Sequence, residues 1–379
     1  MKLRLYRFTD GWNEPFDTSL DSDSTLLLMF GEMGRNGEVN RAIDEICRAY
    51  PKSLKAGCSS AGEIFDAELF EHSLVVAVVR LEKSRVKKVE CPIASPEASK
   101  KIGRELAASL VAEDLKAIFV ISEGLTINGS ELAAGINSVI SPEIIVTGGL
   151  AGDDDRFEKT YILTEMCRPQ PEVVSAIGFY GEDFRIASGY KGGWDRFGIE
   201  REITSSKKNI LYTLNNEPAL EVYKRYLGKH AEELPASALL FPLAIRESKE
   251  SEETKVRTVL AVNEAEQSIT FAGDMPEGGY ATFMKANFDR LIDGAYEAAE
   301  TMAENRDIRM DALGIAISCV GRKLLLKQRT EEELEATLDV LPEGTRQIGF
   351  YSYGEISPMH SGACDLHNQT MTLTLIWEE

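Results

Sequence analysis

Short apolar runs broken by glycine-rich or polar turns recur along the whole chain, and their order repeats. Residues 26–30 (LLLMF) form a buried-strand run. After a polar stretch, Ile43, Ile46 and Cys47 fall at helical spacing within residues 41–50, and Pro51 ends that amphipathic helix. Residues 55–65 (KAGCSSAGEIF) follow, with small side chains that let another backbone or a ligand come close, and residues 73–81 (SLVVAVVRL) make a further strand. The same order returns as a strand at 117–121, a short helix at 130–140, a strand entering a Gly-rich acidic loop at 143–155 and a returning strand at 159–164. It returns again as a strand at 313–320, a helix through 330–338, and the strand-like runs IGFYSYGEI and MTLTLIW. The first and third copies share Gly-Glu-Ile (Gly62, Glu63, Ile64 and Gly354, Glu355, Ile356) where the second has Gly152 and Asp153, so the pattern predicts three related βαββ units.

Between the second and third copies the chain is mostly β. Residues 173–180, 184–190, 210–214, 256–262 and 268–271 have strand composition, and Gly-rich turns separate the first pairs, which implies a meander or hairpin sheet. Residues 217–227, opening with a proline, predict a helix; the polar run 246–255 (RESKESEETK) predicts an exposed hairpin tip. Residues 287–304 predict a long helix with Phe288, Leu291, Ile292, Ala295 and Ala299 on one face. The expected fold is α/β with α+β character: two interlocked domains of mixed sheets with flanking helices, spanning 24–215 and 216–379.

Composition narrows the classes. At 379 residues the chain is longer than one hydrophobic core usually serves, so two domains are expected, and 43% hydrophobic with 27% charged residues argues against long disorder. No apolar run approaches the roughly 20 residues of a membrane span, and the N-terminus lacks the apolar core of a secretory signal, so a cytoplasmic location is expected. The net charge of −20 makes nucleic acid a poor partner. Six scattered cysteines without a C-x-x-C pair exclude a zinc ribbon, and buried thiols are expected in place of disulfides.

Four stretches in this order, GCSSAGEIF at 57–65, GGLAGDDDRF at 148–157, SCVGRK at 318–323, and GFYSYGEIS with LHNQT at 349–370, give the chain its resemblance to the FIST family, N-terminal and C-terminal domains together. The resemblance implies a sensory input module that binds a small ligand, such as an amino acid, and signals to a partner. With no output domain attached, it implies that a histidine kinase or cyclic-di-GMP enzyme is a separate chain, and it leaves a homo-oligomer open. It also offers an alternative, a haem-binding nitric oxide sensor.

The chemistry concentrates at strand ends and in the C-terminal loop. His360, Cys364 and His367 form H-x-x-x-C-x-x-H beside Asp365, residue types that ligate zinc, iron or haem; His367, inside LHNQT, is the preferred ligand. The alternative is that His367 and Asn368 simply hydrogen-bond the backbone. Cys58, Ser59, Ser60 and Glu63 from the first copy, Gly149, Gly152 and Asp153 from the second, and Cys319, Arg322, Tyr353, Glu355 and Asn368 from the third are the ligand-binding candidates. Glu63 and Glu355 can meet an ammonium group, act as an acid/base pair, or accept turn N–H groups. Arg322 can clamp a carboxylate or form a salt bridge with Glu355 or another acid. A Cys- or Glu-dependent hydrolase is the enzyme alternative, but Cys58 and Cys319 lack a neighbouring base motif and read as buried thiols. Gly148 to Gly152 is no dinucleotide fingerprint. The reading is a ligand sensor, not an enzyme.

Overall fold

The computed structural model describes residues 1–234, 236–251, 253–302 and 311–379. Three stretches of chain fold alike. The first runs through β1 (Lys2–Phe8), β2 (Thr25–Gly31), α1 (Gly37–Ala49), β3 (Leu54–Ser59), the hairpin β4 (Glu63–Phe65) and β5 (Glu68–Phe70), and β6 (Leu74–Arg80). The second runs through β7 (Arg85–Pro92), α2 (Ser99–Leu110), β8 (Leu115–Ser122), α3 (Gly129–Asn137), β9 (Ile145–Leu150), the hairpin β10 (Ile162–Leu163) and β11 (Pro169–Gln170), and β12 (Val173–Tyr180). The third opens with β13 (Phe184–Lys191) and is then interrupted by an insertion. That insertion holds β14 (Asp195–Arg196), β15 (Arg201–Lys207), β16 (Ile210–Leu214), β17 (Glu217–Pro218), α4 (Ala219–Leu227), β18 (Leu243–Arg246), β19 (Lys255–Arg257), β20 (Val259–Asn263), β21 (Ser268–Phe271) and β22 (Tyr280–Lys285). The third repeat resumes with α5 (Phe288–Glu300), β23 (Leu313–Cys319), α6 (Val320–Leu326), α7 (Thr330–Leu338), β24 (Arg346–Ser352), the hairpin β25 (Gly354–Pro358) and β26 (Cys364–His367), and β27 (Met371–Glu378).

The three sheets have one strand order: β1-β6-β2-β3-β10-β11, β7-β12-β8-β9-β25-β26, and β13-β27-β23-β24-β4-β5. Each is completed by the hairpin of another repeat. The first lends β4–β5 to the third, the third lends β25–β26 to the second, and the second lends β10–β11 to the first. This cyclic exchange is what interlocks the chain. Inside each repeat the two strands before and after the crossover are parallel, and the glycine of the second strand faces its partner too closely for any side chain. A Cβ at Gly57, Gly148 or Gly349 would stand 1.9, 1.8 or 1.7 Å from the carbonyl oxygen of its paired residue, Met29, Val120 or Ala316.

The first strands β2, β8 and β23 read as continuous apolar runs because both faces are covered. Their alternate residues (Leu26, Leu28 and Phe30; Ala117, Phe119 and Ile121; Leu313, Ile315 and Ile317) meet in one central core. Fully burying each large side chain there contributes roughly 1.5–3 kcal/mol. The opposite face of β2 packs under α1, where Leu27 and Met29 meet Ile43 and Ile46. Asn36, Asn128 and Asn287 cap α1, α3 and α5 by accepting backbone N–H groups of the first turn. The insertion has its own core, in which Leu220 and Tyr223 of α4 pack on Leu211, Phe271 and Phe283.

The expected repeats and the hairpin at 246–255 are present, the latter as β18 pairing with β19, with Glu252 outside the described residues. The long helix expected at 287–304 is α5, and its expected last residues 303–304 lie outside the described residues. Two expectations are corrected. The returning strand of the second repeat is β12, since 162–163 joins the first repeat's sheet, a pairing set by tertiary contact and not by local pattern. Cys47 and Cys167 form a disulfide, where thiols were expected: the loop after β10 lies against α1 and brings together residues 120 positions apart. Among the described residues, no helix is long and apolar enough to cross a membrane.

Candidate functional site

The candidate residues at the strand ends do converge, at the junction of the three repeats, but they hold one another. Glu63 accepts hydrogen bonds from the Ser60 hydroxyl and from the Ser73 N–H and hydroxyl, the last two at 3.1 and 2.6 Å. Glu355 makes the same staple with the Ser352 hydroxyl at 2.6 Å and the Thr370 N–H and hydroxyl at 3.3 and 2.8 Å. Each carboxyl fastens the start of a lent hairpin to the returning strand of its own repeat. Burial pushes Glu63 up to about 7 and Glu355 up to about 8, against the downward pull of these donors. The second repeat is one residue shorter between its glycines, Gly148 and Gly152, and its acid serves differently. Asp153 accepts the backbone N–H groups of Glu158 and Lys159 at 3.1 and 2.9 Å and the Tyr353 hydroxyl.

The other junction residues are equally occupied. Arg322, fully buried, pairs with Glu333 at 2.7 Å and donates to the carbonyls of Gly192 and Leu291 at 2.6 and 2.7 Å; the acid it meets is not Glu355. The Ser59 hydroxyl accepts the Tyr161 N–H. Cβ atoms at Gly149 and Gly152 would meet Ile317 and Ala61 at 2.9 and 3.0 Å. Cys58 and Cys319 are buried thiols pushed up by desolvation, with no activating base bonded to them among the described residues. The Asn368 amide and, next to it, the Gln369 amide, both fully buried, have neither oxygen nor nitrogen hydrogen-bonded among the described residues. The void beside Ser60, Gly62, Glu63 and Lys323 measures about 20 Å³, room for a water at most. A ligand chamber among these strand ends, as expected, does not match this packing.

The H-x-x-x-C-x-x-H residues also part company. Side chains alternate along a strand, so Cys364 and His367 leave opposite faces of β26, and His360 lies out on the preceding turn, 87% exposed. Cys364 donates to the Asn137 side-chain oxygen at 3.3 Å, and burial pushes its thiol up to about 12. His367 is buried, its Nε2 3.2 Å from the Ser357 carbonyl and its ring 4.2 Å from that of Tyr190. Desolvation lowers it to about 4, so it is neutral. Buried, with Nε2 engaged by a carbonyl and one ring face against Tyr190, His367 does not fit a haem. Among those residues, no cluster of three His, Cys, Asp or Glu side chains is placed to hold a metal.

The open space lies elsewhere. A cleft of about 670 Å³, within the usual size of small-molecule sites, opens between α3 of the second repeat, the turn and first residues of β26, and the insertion's β18, β19 and residues 274–276. Ser130, Glu131, Ala134 and Asn137 line it from α3; Arg246, Glu253, Lys255, Arg257 and Asp274 line it from the insertion; Cys364 and Asp365 line it from the lent hairpin. Lys255 pairs with Asp365 and with Glu247. Burial would raise the Asp365 carboxyl, but the charges of Lys255 and Arg257 outweigh it and hold Asp365 below its usual range. Of the sequence candidates only Cys364 lines this cleft, with Asp365 beside it. The signal that could have found the rest was an arginine inside the strand-like run V-R-T-V-L, where most residues are apolar or β-branched.

Interlocked mixed sheets, with an insertion that leaves a charged cleft against one of them, define the class of fold. Residues 25–217 match the FIST N domain and residues 219–358 the FIST C domain. The chain belongs to the FIST family, whose domains are sensory domains of signal transduction thought to bind small ligands. Among curated proteins none matches the chain.

Proposed function

We propose that this protein is a cytoplasmic signal-input module that binds a small, amino-acid-like ligand in the cleft between the second repeat and the insertion, and that occupancy regulates a separate signalling partner. The observation that carries this reading is the cleft's construction from three segments, α3, the lent hairpin and the insertion. A ligand touching all three favours whichever arrangement of insertion and repeats fits it best. A partner that reads that arrangement then changes affinity by the same coupling energy. Acids and cations side by side in the lining suit a zwitterion. The partner is the histidine kinase or cyclic-di-GMP enzyme that the family resemblance implies.

Calorimetry of the full chain with the twenty free amino acids tests the reading, alongside Ala134→Trp, which places an indole in the cleft from the exposed side of α3. Binding by the unmodified chain that Ala134→Trp weakens at least tenfold is the expected result. Binding unaffected by the indole would move the site elsewhere, and no heat with any of the twenty would remove the amino-acid class.

A further inference from the structure

Four cations line the cleft, and three already have acids: Lys208 pairs with Glu97, Arg246 with Glu200 and Lys255 with Asp365. Arg257 does not. It is 2% exposed, and its Nε donates to the Asp274 carbonyl at 3.2 Å while Nη1 donates to those of Leu366 and Val256 at 2.9 and 3.4 Å. Among the described residues no carboxylate forms an ion pair with this guanidinium, and none of them accepts a hydrogen bond from Nη2. Asp365 and Asp274 act on this charge only from beyond contact distance, so it is costly to bury, and carbonyl dipoles offset only part of that cost. The pose is nevertheless fixed. Gly273 lets the guanidinium lie against the backbone, where a Cβ would stand 2.8 Å from Nε and 3.0 Å from Cζ. A cation held in one pose by three carbonyls, with one edge unused and a cavity beside it, is preorganised for an anion.

Resting on the cleft reading above, we infer that Arg257 is the carboxylate anchor of the site, its free Nη2 edge donating to one oxygen of a singly charged ligand carboxylate. A single carboxylate fits better than a phosphate dianion. Glu131, Glu247, Glu253, Asp274 and Asp365 share the lining, so a second negative charge would face five acids with every other lining cation already paired. The Ser130 hydroxyl, buried in the first turn of α3 and without a partner among the described residues, lines the same cleft and offers a second donor. Those acids face the rest of the ligand, where an ammonium group is matched.

The test uses the full chain and two matched pools, the twenty free L-amino acids and the same compounds as carboxyl amides, read by thermal shift and calorimetry. Free acids should bind and their amides bind at least tenfold more weakly, the scale of one charge-assisted hydrogen bond. Arg257→Gln should bring the acids down to the level of the amides, and Gly273→Ala, which pushes the guanidinium off its seat, should weaken the acids without affecting the amides. Acids and amides binding the unmodified chain equally would overturn the anchor while leaving the cleft reading intact, as would an undiminished acid affinity in Arg257→Gln. If neither pool binds, the amino-acid reading of the cleft fails and the anchor with it. The acid-against-amide comparison is made on the unmodified chain, so it stands even where Arg257→Gln folds poorly.

Discussion

Arg322 and Arg257 are both sealed from solvent, and both bond to backbone carbonyls, yet only one has been given an acid. Arg322, at the junction of the repeats, faces Glu333, whose other oxygen takes the Tyr351 and Ser318 hydroxyls at 2.7 and 3.1 Å. Every polar side-chain atom in that network has its partner. Arg257, on the wall of the cleft, has carbonyls on one side and space on the other. The same residue type at the same burial thus does two jobs. A buried charge that is closed by its own fold is structural; one left open beside a cavity is a site. The distinction holds for the acids too. Glu63 and Glu355 are saturated staples, whereas Asp365 depends on a partner at the cleft.

The most severe break of the comparison is Arg322→Gln. It strands Glu333 in the core, and such a change costs roughly 3–5 kcal/mol, measurable by urea unfolding. Arg257→Gln removes a charge that had no acid in contact and should cost well under half as much, about 1 kcal/mol for carbonyls left short of a donor. Equal losses in the two variants would show that Arg257 is as structural as Arg322. The binding measurements should run the other way, with Arg257→Gln the more damaging.

The staples sharpen the contrast through pH. Glu355 titrates near 8 in the folded protein against an ordinary 4.5. Between those values the folded state binds more protons than the unfolded, so stability falls as pH rises through that window and levels off above it. Below about 4.5 both states are protonated and the effect vanishes. Glu355→Gln keeps the shape and an acceptor for the Thr370 N–H without the charge, so its stability should fall less from pH 5 to pH 8 than that of the unmodified chain. A difference on the order of 3 kcal/mol is expected, and parallel pH profiles for the two proteins would show that Glu355 ionises freely.

Much of the frame was legible in the sequence. Gly-Glu-Ile occurs twice because two repeats use the same staple, and the apolar runs marked each first strand. The hairpin exchange was not legible, since β4, β10 and β25 are short and nothing local distinguishes pairing at home from pairing with a neighbour. The second repeat's single missing residue moved Asp153 out of the staple while leaving it looking like a third copy. The histidine loop suggested a metal site because spacing was weighed without the strand's alternation, which sends Cys364 and His367 apart. The cleft stayed hidden for a different reason. Ser130, Arg257 and Asp365 are neighbours only after three segments fold together, and no motif joins them.

The mildest test concerns the ion pair at the cleft's edge. Lys255 and Asp365 are each about four-fifths covered, so their attraction is screened less than that of a surface pair but far more than that of Arg322 and Glu333. Lys255→Ala should cost about 1 kcal/mol at low salt, shrinking as salt is added. It also frees Asp365 to interact with Arg257, whose charge already acts on it. An internal acid would then compete with the ligand for the anchor. Loss of Lys255 should therefore weaken acid binding more than it weakens the fold, and restoring a cation with Lys255→Arg should recover both. If Lys255→Ala leaves acid binding untouched while lowering stability, the pair is only a strut, and the open arginine behind it is not sensitive to its nearest acid.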